Sequence, residues 1–439
     1  MSGFTVLVVG SGGREHALGW KLSTSPQVSR IILAPGNAGM PEEWEQWPFS
    51  AHPSEFSGLA RRALSEGVDL AVIGPDNPLA EGIVDVFQDA GVLAFGPSRE
   101  AAKIESSKAF AKEVMSAAGV PTARYQVVST LEEAKTFLKN TSWAPAQGVG
   151  GWVIKADGLA FGKGVRVCLT LTEALQAAEV LISVSGGCGP GKLVIEERLL
   201  GEELSWMAFC DGKRCALLEP ARDYKTLQDG GRGPNTGGMG AFSPVQGVPA
   251  GFEERIHKEV FIPTLQEMEN RGAPFRGLLY AGLMVDWEKN KYWVLEFNSR
   301  FGDPETQVLM PRMKDDLLDW CLACAKGDLG ERSSSVSFFK NAAVVVVGAA
   351  PGYPDRPEKG APLEILTQTA VPCAAAVPPY FFSGVDKNKG GLTTAGGRVL
   401  GATGVGENFE LARAQAYERL SQVNFPGMQF RSDIAKGMK

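Results

Sequence analysis

Hydrophobic positions along the first hundred residues form short apolar runs that alternate with segments of helical periodicity. The apolar runs are Val6–Val9, Arg30–Leu33, Asp69–Ile73 and Leu93–Phe95, and the helical segments lie near 14–24, 54–66, 78–90 and 99–118. Short buried strands that alternate with helices are typical of a parallel sheet with helices on both faces. The pattern therefore predicts an α/β fold that begins with a doubly wound parallel-sheet domain.

The remaining pattern predicts further α/β segments. Strands are expected near Val127, at 152–155 and at 193–197, with a helix near 172–183 and a glycine-rich loop tip at 185–191. Residues 198–330 predict a mixed sheet with long helices at 251–270 and 313–326. The polar stretch 328–335 is the expected linker to a smaller α/β unit, whose elements are predicted at 343–347, 373–377, 398–400 and 407–423.

Composition narrows the class of protein. A chain of 439 residues is too long for one ordinary core, so several domains are expected. The net charge of -6 argues against a nucleic-acid surface. There is no apolar run long enough for a membrane span and no basic leader, so we expect a cytoplasmic protein without a membrane partner. The cysteines predict free thiols, because Cys321 and Cys324 have the spacing of only half a zinc site.

The segment from Trp293 to Glu305 carries the most informative polar spacing. If it forms a strand, Glu296, Asn298 and Arg300 share one face, because side chains alternate with period two. The other face then carries large apolar side chains, at Trp293, Leu295, Phe297 and Phe301. Carboxylate and amide oxygens suit Mg²⁺, which completes its shell with phosphate oxygens and waters. Spacing alone leaves open both a metal site and an ordinary amphipathic strand with one hydrated face.

A glycine-rich turn, Gly10-Ser-Gly-Gly-Arg-Glu-His16, follows the first predicted strand. Backbone N–H groups and the helix dipole at such a turn can bind phosphate. The turn is not a dinucleotide fingerprint, because Glu15 stands where the third glycine belongs and no acidic residue follows the next strand. A phosphate site and a tight structural turn both remain open. The strands ending at Ile73 and Phe95 also lead into Gly-Pro turns, at the sheet edge where ligands bind.

A second glycine-rich segment follows Lys155, which lies in an apolar predicted strand. Glycines in the loop 158–164 would let the backbone approach phosphate oxygens, and Lys155 and Lys163 would supply compact positive charges. The spacing is not that of a P-loop. We therefore predict a flexible nucleotide lid, with a solvated hairpin as the alternative.

Two further segments have the composition of ligand-contacting loops. Carboxylates between 196 and 203 could bind an adenine amino group and ribose hydroxyls, although this segment taken alone favours a polar hinge. The loop 233–243 is rich in small residues and is punctuated by Met239 and Phe242. It predicts a ligand-contacting loop rather than a disordered connector.

Taken together, these segments resemble the phosphoribosylamine–glycine ligase (glycinamide ribonucleotide synthetase) family of ATP-grasp enzymes. The matching runs are Gly-Gly-Arg-Glu-His-Ala at 12–17, Ala-Pro-Gly-Asn-Ala-Gly at 34–39, Ser-Lys-Ala-Phe at 107–110, Lys-Ala-Asp-Gly-Leu-Ala at 155–160, Gly-Pro-Asn-Thr-Gly-Gly-Met-Gly-Ala at 233–241 and Glu-Phe-Asn-Ser-Arg-Phe-Gly-Asp-Pro-Glu-Thr-Gln at 296–307. The resemblance covers essentially the whole chain. It implies a Rossmann-like N-terminal domain (1–105), an ATP-grasp central domain (106–122 and 198–330), a lid domain (123–197) and a C-terminal α/β domain (331–439).

The resemblance also implies the reaction. ATP, glycine and 5-phosphoribosylamine would give ADP, phosphate and glycinamide ribonucleotide through a glycyl phosphate, as a step of purine biosynthesis. A carboxylate attacking a phosphoryl group needs charge neutralisation and in-line placement more than a protein nucleophile. The expected cofactor is Mg²⁺, or Mn²⁺, bound with ATP. The alternative is a related ATP-grasp ligase that uses a different amine or acid, and we expect a monomer or weak homodimer.

Residue roles carried over from the family fall into four groups. The catalytic residues would be Lys155, Arg300 and Asp303, with Arg300 at the transferring phosphate and Asp303 at the glycine ammonium. ATP would be bound by Lys108, Lys155, Gly162, Lys163, Gly164, Glu196, Glu197, Leu199 and Glu203, and the metal by Glu296 and Asn298. The amine substrate would meet Gly12, Gly13, Arg14, Asp76, Asp223, Lys225, Asn235, Thr236 and Gly237, in addition to Arg300 and Asp303.

Two departures from the family pattern lie on the acceptor side. Family members usually carry Asp-His-Lys-Arg where this chain has Asp223-Tyr224-Lys225-Thr226, and Gly-Pro-Glu where it has Gly74-Pro75-Asp76. One imidazole and one guanidinium are therefore absent at these positions, and one carboxylate is shorter by a methylene. The residues expected to bind ATP are unaffected.

Overall fold

The N-terminal part of the computed structural model is a parallel sheet covered by helices. The structure describes residues 3–50, 52–143, 150–159, 164–184, 191–332, 334–366 and 377–438. The sheet contains β1 (Phe4–Gly10), β2 (Val28–Pro35), β3 (Glu45–Gln46), β4 (Leu70–Ile73) and β5 (Ala94–Phe95) in the order β3-β2-β1-β4-β5. Residues 6–9 of β1 are fully buried. The predicted doubly wound parallel sheet is confirmed.

Two predicted helices of this part are each divided into two shorter ones. The observed helices are α1 (Gly13–Ser23), α2 (Phe56–Ser65), α3 (Asp76–Ala80), α4 (Ile83–Asp89), α5 (Arg99–Ser106) and α6 (Lys108–Ala117). The predicted helix 78–90 is interrupted because Gly82 adopts a left-handed conformation with φ +86°. The predicted helix 99–118 is interrupted at Ser107, whose hydroxyl accepts a hydrogen bond from the Phe110 N–H and begins a new helix. The interruption places Lys108 at the start of α6.

A small antiparallel sheet with its own core follows. Its elements are β6 (Tyr125–Val128), α7 (Leu131–Asn140), β7 (Trp152–Ala156), β8 (Val165–Cys168), α8 (Leu171–Val184) and β9 (Leu193–Glu197), with strand order β6-β9-β7-β8. Trp152, Ile154 and Ile195 pack with α7 and α8 to form the core. Residues 185–190 of the predicted loop tip lie outside the described residues.

The central segment contains a second antiparallel sheet. Its elements are β10 (Glu202–Asp211), β11 (Cys215–Leu217), β12 (Arg222–Asp223), β13 (Thr226–Gln228), β14 (Arg232–Asn235), β15 (Gly240–Ser243), α9 (Phe252–Ile256), α10 (Ile262–Asn270), β16 (Arg276–Asp286), β17 (Lys291–Asn298), α11 (Thr306–Leu309) and α12 (Leu317–Lys326). The sheet order is β11-β10-β16-β17. A π-helical turn, His257–Phe261, joins α9 to α10 within the predicted helix 251–270.

The C-terminal sheet takes strands from both sides of residue 331. The remaining elements are β18 (Ala342–Ala349), β19 (Glu364–Ile365), β20 (Tyr380–Phe382), β21 (Val385–Asn388), β22 (Gly391–Thr394), β23 (Arg398–Gly406), α13 (Phe409–Ser421) and β24 (Val423–Asn424). The sheet order is β12-β15-β18-β23-β20, so β12 and β15 leave the central segment to pair here. Residues 373–376 of the predicted strand 373–377 lie outside the described residues. Across the part of the chain that is described, no helix has the length and apolar character to cross a membrane.

Strand β17 departs from the simple alternation predicted for it. Gly282 of β16 pairs with Glu296 and the next residue, Leu283, pairs with Val294, so Leu295 is an extra residue in a β-bulge. The bulge shifts the phase, and Tyr292, Val294 and Phe297 face the core instead of the predicted set Trp293, Leu295 and Phe297. The strand ends at Asn298. The prediction that Arg300 belongs to the same strand face was therefore wrong.

Candidate functional site

A cavity of about 900 Å³ opens where the sheets meet. The residues predicted from the sequence that line it are Arg14, Asp76, Lys108, Lys155, Gly164, Glu196, Glu197, Leu199, Glu203, Asp223, Lys225, Asn235, Thr236, Gly237, Glu296, Asn298, Arg300 and Asp303. Gly162 and Lys163 lie outside the described residues. Side chains separated by almost three hundred positions in the sequence thus share one cavity.

One wall of the cavity carries a buried carboxylate between two lysines. Glu196 on β9 forms ion pairs with Lys155 on the neighbouring β7, at 2.8 Å, and with Lys112 on α6, at 3.2 Å. Burial lowers the pKa of Lys112 to about 8, although Glu196 opposes the shift. Burial also disfavours the charge on Lys155, but Glu196 and Glu296 outweigh it and hold that pKa above its usual value. Glu196 therefore stabilises positive charge at this wall.

Lys108 adds a further ammonium group beside this cluster. Its Nζ donates a hydrogen bond of 2.7 Å to the carbonyl oxygen of Gly158, in the loop that follows β7. Burial lowers the pKa of Lys108, with Glu296 acting in the opposite direction. Lys108 and Lys112 are one helical turn apart on α6, so both point to the same side of the helix.

The β-bulge on β17 accompanies two side chains with oxygen atoms that line the cavity next to Lys155. Glu296 and Asn298 both line the cavity, and the carbonyl oxygen of the bulged residue Leu295 accepts a hydrogen bond from Lys155 Nζ at 3.0 Å. Burial would raise the pKa of Glu296, but Lys155, Lys225 and Lys108 outweigh it and lower that pKa. The Glu296 carboxylate is therefore charged at neutral pH and free to act as an oxygen ligand.

The donor set of Glu296 and Asn298 fits Mg²⁺ bound together with phosphate. Among the described residues there is no group of three or more histidine, cysteine or acidic side chains arranged around a metal position. A carboxylate and an amide oxygen are the kind of partial set with which Mg²⁺ combines waters and substrate phosphates. Mn²⁺ accepts the same oxygen ligands.

Arg300 is held by contacts that the sequence did not predict. Its guanidinium lies 3.0 Å from the Glu105 carboxylate and donates to the Asn298 side-chain oxygen at 3.3 Å. The other Glu105 oxygen accepts two hydrogen bonds of 2.8 Å from the N–H and hydroxyl of Ser299. Burial opposes the charge of Arg300, but Glu105 and Asp76 raise its pKa further. Arg300 is thus a fixed positive charge beside the two oxygen ligands.

The other end of the cavity carries a second group of ionic contacts. Lys225 Nζ donates to both oxygens of Asp223, at 2.8 and 2.7 Å, within the short β12–β13 connection. Glu305 lies nearby, buried, and accepts hydrogen bonds from Tyr280 at 2.6 Å and from Ser205 at 2.9 Å. Burial and the neighbouring Asp223 raise the pKa of Glu305.

Asp303 lies at the same end, between two positively charged residues. One carboxylate oxygen forms an ion pair of 2.8 Å with Arg398, and the other accepts a hydrogen bond of 2.8 Å from Gln307. Burial disfavours the charged form, but Arg398 and Arg14 outweigh it and lower the pKa of Asp303. The Asp303 carboxylate therefore keeps its negative charge at this end of the cavity.

Gly12 and Gly13 do not line the cavity. The Gly12 N–H donates to the Glu15 carboxylate at 2.6 Å, and the Gly13 N–H donates to the Ser383 hydroxyl at 2.9 Å. Both amides at this helix start are thus bonded to side chains of the protein. These contacts favour the tight structural turn over the phosphate site that the sequence left open.

The departures at Tyr224 and Thr226 are also outside the cavity lining. The Arg431 guanidinium lies over the Tyr224 ring, 4.8 Å from its centroid, and donates to the Thr226 hydroxyl at 2.8 Å. Both side chains therefore contact the C-terminal segment rather than the cavity. Asp76, the third departure, does line the cavity.

Several lining residues were not identified from the sequence. These are Glu105, Lys112, Tyr280, Glu305, Tyr353 and Arg398. A helical spacing of four from Lys108 could have indicated Lys112. Tyr353 and Arg398 carry no local signal, because they reach the cavity from strands and loops of the C-terminal sheet.

Comparison with protein families covers most of the chain. Residues 4–105 match the family model described as phosphoribosylglycinamide synthetase, N domain, and residues 106–306 match the ATP-grasp (A) domain of the same synthetase. Residues 343–437 match its C domain. A phosphoribosylamine–glycine ligase from Ralstonia nicotianae is 43% identical over 432 residues, which are 98% of each chain.

Solved structures are similar to this chain over almost its whole length. A phosphoribosylamine–glycine ligase from Thermotoga maritima superposes with a TM-score of 0.82 at 37% identity, covering 98% of this chain and 99% of that one. The biotin carboxylase domain of the Hydrogenobacter thermophilus 2-oxoglutarate carboxylase has a TM-score of 0.69 at 16% identity, with 98% and 92% coverage. The second match is a likeness of fold alone. These comparisons confirm the predicted ATP-grasp fold.

Proposed function

The chain belongs to the phosphoribosylglycinamide synthetase family, and on that premise we propose that its cavity joins glycine to 5-phosphoribosylamine at the expense of ATP. The products are glycinamide ribonucleotide, ADP and phosphate, as in purine biosynthesis. The observation that carries the proposal is that one cavity combines the lysines beside Glu196, the side-chain oxygens of Glu296 and Asn298, and an arginine held by Glu105. A ligase for a different amine or acid is not favoured, because the full-length relatives are named for this reaction.

The ATP half of the site is assigned to the wall that contains Glu196. Lys108 and Lys155 would neutralise phosphate charge. Gly164 belongs to the predicted lid loop, of which Gly162 and Lys163 lie outside the described residues. Glu197, Leu199 and Glu203 would meet the nucleoside. The ion pairs of Glu196 with Lys112 and Lys155 favour a role in fixing the lysines, so its predicted contact with the adenine amino group is the weaker assignment.

Glu296 and Asn298 are proposed to hold Mg²⁺, or Mn²⁺, with the phosphate chain of ATP. Such an ion would neutralise charge that develops on the transferring phosphoryl group. The protein contributes the oxygen ligands and their fixed orientation, which the β-bulge at Leu295 sets by turning both side chains into the cavity.

The chemistry follows from the charges around Arg300. The glycine carboxylate attacks the γ-phosphorus of ATP, the new O–P bond replaces the bond to ADP, and glycyl phosphate forms. The nitrogen of the ribosylamine then attacks the acyl carbon, phosphate leaves, and the nitrogen gives up a proton. Arg300 stabilises the charge on the transferring phosphoryl group, because its own charge is fixed by Glu105. Water exclusion by the lid would protect the acyl phosphate from hydrolysis.

The amine substrate is assigned to the opposite end. Arg14, Asp76, Asp223, Lys225 and the loop 235–237 line that end, and Asp303 is proposed to bind the glycine ammonium. Gly12 and Gly13 support the turn rather than the substrate, because their N–H groups are bonded to Glu15 and Ser383.

The same proposal includes the four-part domain division, a cytoplasmic location and a monomer or weak homodimer.

One assay tests the proposal. The protein is incubated with ATP, Mg²⁺, glycine and phosphoribosylamine, and ADP and glycinamide ribonucleotide are quantified. Equal amounts of the two products are expected. Release of ADP only with some other amine or acid would overturn the glycine and ribosylamine assignment, and omission of either substrate serves as the control.

A further inference from the structure

Arg398, the first residue of β23, reaches from the C-terminal sheet into the amine end of the cavity. One terminal nitrogen of its guanidinium donates to the carbonyl oxygens of Gly237 and Asp303, at 2.7 and 2.8 Å. The other donates to the Asp303 carboxylate at 2.8 Å. One side chain thus connects the loop 233–241 with the segment 296–307, the two most family-specific parts of the sequence.

Tyr353 holds the same glycine from its other side. The Gly237 N–H donates a hydrogen bond of 2.9 Å to the Tyr353 hydroxyl, while the Gly237 carbonyl accepts from Arg398. A Cβ at position 237 would lie 3.2 Å from the Arg398 guanidinium carbon and 3.3 Å from the Tyr353 hydroxyl. The loop therefore packs directly on these two side chains, and neither can move without moving it.

Gly237 is linked through its neighbour Thr236 to charged residues of the cavity. Thr236 donates to the carbonyl oxygen of Lys225 through its N–H at 2.7 Å and its hydroxyl at 2.8 Å. Lys225 is paired with Asp223. Hydrogen bonds and the Thr236–Gly237 backbone therefore link the C-terminal sheet to the Asp223–Lys225 pair, and Lys225 also lies 3.7 Å from Glu203. This series of contacts does not include Lys108, Lys155 or Glu196 of the ATP wall.

Burial makes these contacts strong and specific. The Arg398 side chain is 20% exposed and that of Asp303 is 14% exposed. A planar guanidinium that bridges two backbone carbonyls and one carboxylate cannot be replaced by a lysine without losing part of the geometry.

We propose that Arg398 and Tyr353 are positioning residues for the amine substrate: they fix the loop at Gly237 in the conformation that binds a phosphorylated ribosylamine, beside the Asp303 carboxylate that is assigned to the glycine ammonium. This inference rests on the proposed function, and it assigns two residues from the C-terminal part of the chain to the same site. The C-terminal sheet then determines affinity for the amine and leaves affinity for ATP unchanged.

The test compares Arg398→Gln, Arg398→Lys and Tyr353→Phe with matched controls in the C-terminal part of the chain. Arg413→Gln is the arginine control, because Arg413 also bridges two backbone carbonyls, those of Ile434 and Ser432, away from the cavity. Tyr380→Phe is the tyrosine control, because its hydroxyl donates to the Arg419 carbonyl at 2.9 Å. For each variant, kcat and the KM values for phosphoribosylamine and ATP are measured with glycine saturating, and thermal unfolding is recorded.

In Arg398→Gln the KM for phosphoribosylamine should rise by about tenfold to a hundredfold, as expected for the loss of charge-assisted hydrogen bonds. The KM for ATP should stay within about twofold, and Arg398→Lys should recover part of the loss. Tyr353→Phe should raise the KM for the amine by roughly threefold to tenfold, the worth of one neutral hydrogen bond. The two controls should leave both KM values unchanged.

Either of two results would contradict the inference. An unchanged KM for phosphoribosylamine in a folded Arg398→Gln protein, or equal increases for ATP and the amine, would contradict a positioning role. If Arg398→Gln does not fold, Tyr353→Phe decides by the same criterion. A wild-type protein that forms no glycinamide ribonucleotide would instead contradict the proposed function.

Discussion

Lys155 and Glu196 form an ion pair inside the cavity, with 2.8 Å between Nζ and Oε1 and less than a tenth of either side chain exposed. The two residues lie on the adjacent strands β9 and β7, and Lys112 adds a second ammonium group from α6. The Glu196 carboxylate thus connects the β6-β9-β7-β8 sheet with helix α6. It also stabilises the positive charges of Lys112 and Lys155, because a buried ammonium group without a counter-charge is unfavourable.

Replacing Glu196 by glutamine should destabilise the protein. The change leaves Lys112 and Lys155 without their shared counter-charge, and breaking a buried ion pair from one side costs about 3–5 kcal/mol. The free energy of unfolding from urea titration measures this, and the KM for ATP should rise with it. Glu202→Gln is the control, since Glu202 is half exposed and pairs with Arg222 at 3.3 Å, a contact worth under about 1 kcal/mol. Equal losses in both variants would contradict the prediction.

Glu296→Gln and Asn298→Ala should impair turnover at limiting Mg²⁺ while leaving the fold intact. Each removes one proposed oxygen ligand, so the Mg²⁺ concentration at half-maximal rate should rise by about tenfold or more. Steady-state rates over a Mg²⁺ titration measure this, and circular dichroism checks the fold. Glu288→Gln, at an exposed position of the same β16–β17 hairpin, is the control. Wild-type titration curves for both variants would rule out the metal role.

His16 should make stability depend on pH below neutrality. The side chain is buried against aromatic rings, and its Nδ1 accepts the Phe382 N–H at 3.0 Å. Burial lowers its pKa to about 3 from the ordinary 6.5. Between pH 6.5 and pH 3 the His16 imidazole is therefore protonated in the unfolded chain but neutral in the folded protein. The contribution of His16 to the free energy of unfolding is complete above pH 6.5 and is lost as the pH falls towards 3.

The measurement for His16 compares wild type with His16→Asn by denaturant titration at several pH values. The stability advantage of the wild type should shrink by about 1.4 kcal/mol per pH unit between roughly pH 6 and pH 4. The comparison cancels the contribution of carboxylates common to both proteins. A difference that stays constant over this range would show that His16 is protonated in the folded state.

Gly238→Ala should cost more stability than Gly247→Ala. Both glycines have positive φ, +110° and +78°, so alanine is strained at either position. A Cβ at Gly238 would also lie 2.5 Å from Pro304 Cδ, whereas none of the described atoms lies within 4 Å at Gly247. The steric conflict should add about 1–3 kcal/mol to the loss. Thermal unfolding of the two variants checks this, and equal shifts in Tm would contradict the close packing of the loop on Pro304.

Part of the cavity lining could be predicted because its residues occur in local patterns. Lys155 lies on β7, and Glu296 and Asn298 lie on β17, where these polar side chains stand among apolar neighbours. The doubly wound N-terminal sheet followed from apolar runs that alternate with helical periodicity. Helix ends were less predictable, because Ser107 ends one helix and begins another through a single side-chain hydrogen bond.

The sequence by itself determined which chemical groups the chain carries: lysines in glycine-rich surroundings, carboxylate and amide oxygens on one strand, and a family-specific loop. Tertiary structure alone decided how they are arranged. The bulge at Leu295 sets which side chains of β17 face the cavity, Glu196 is paired with two lysines, and Arg398 reaches Asp303 from 95 residues away. Local periodicity records backbone geometry and burial, whereas strand register and the partners of buried charges depend on which distant segments the folded chain brings together.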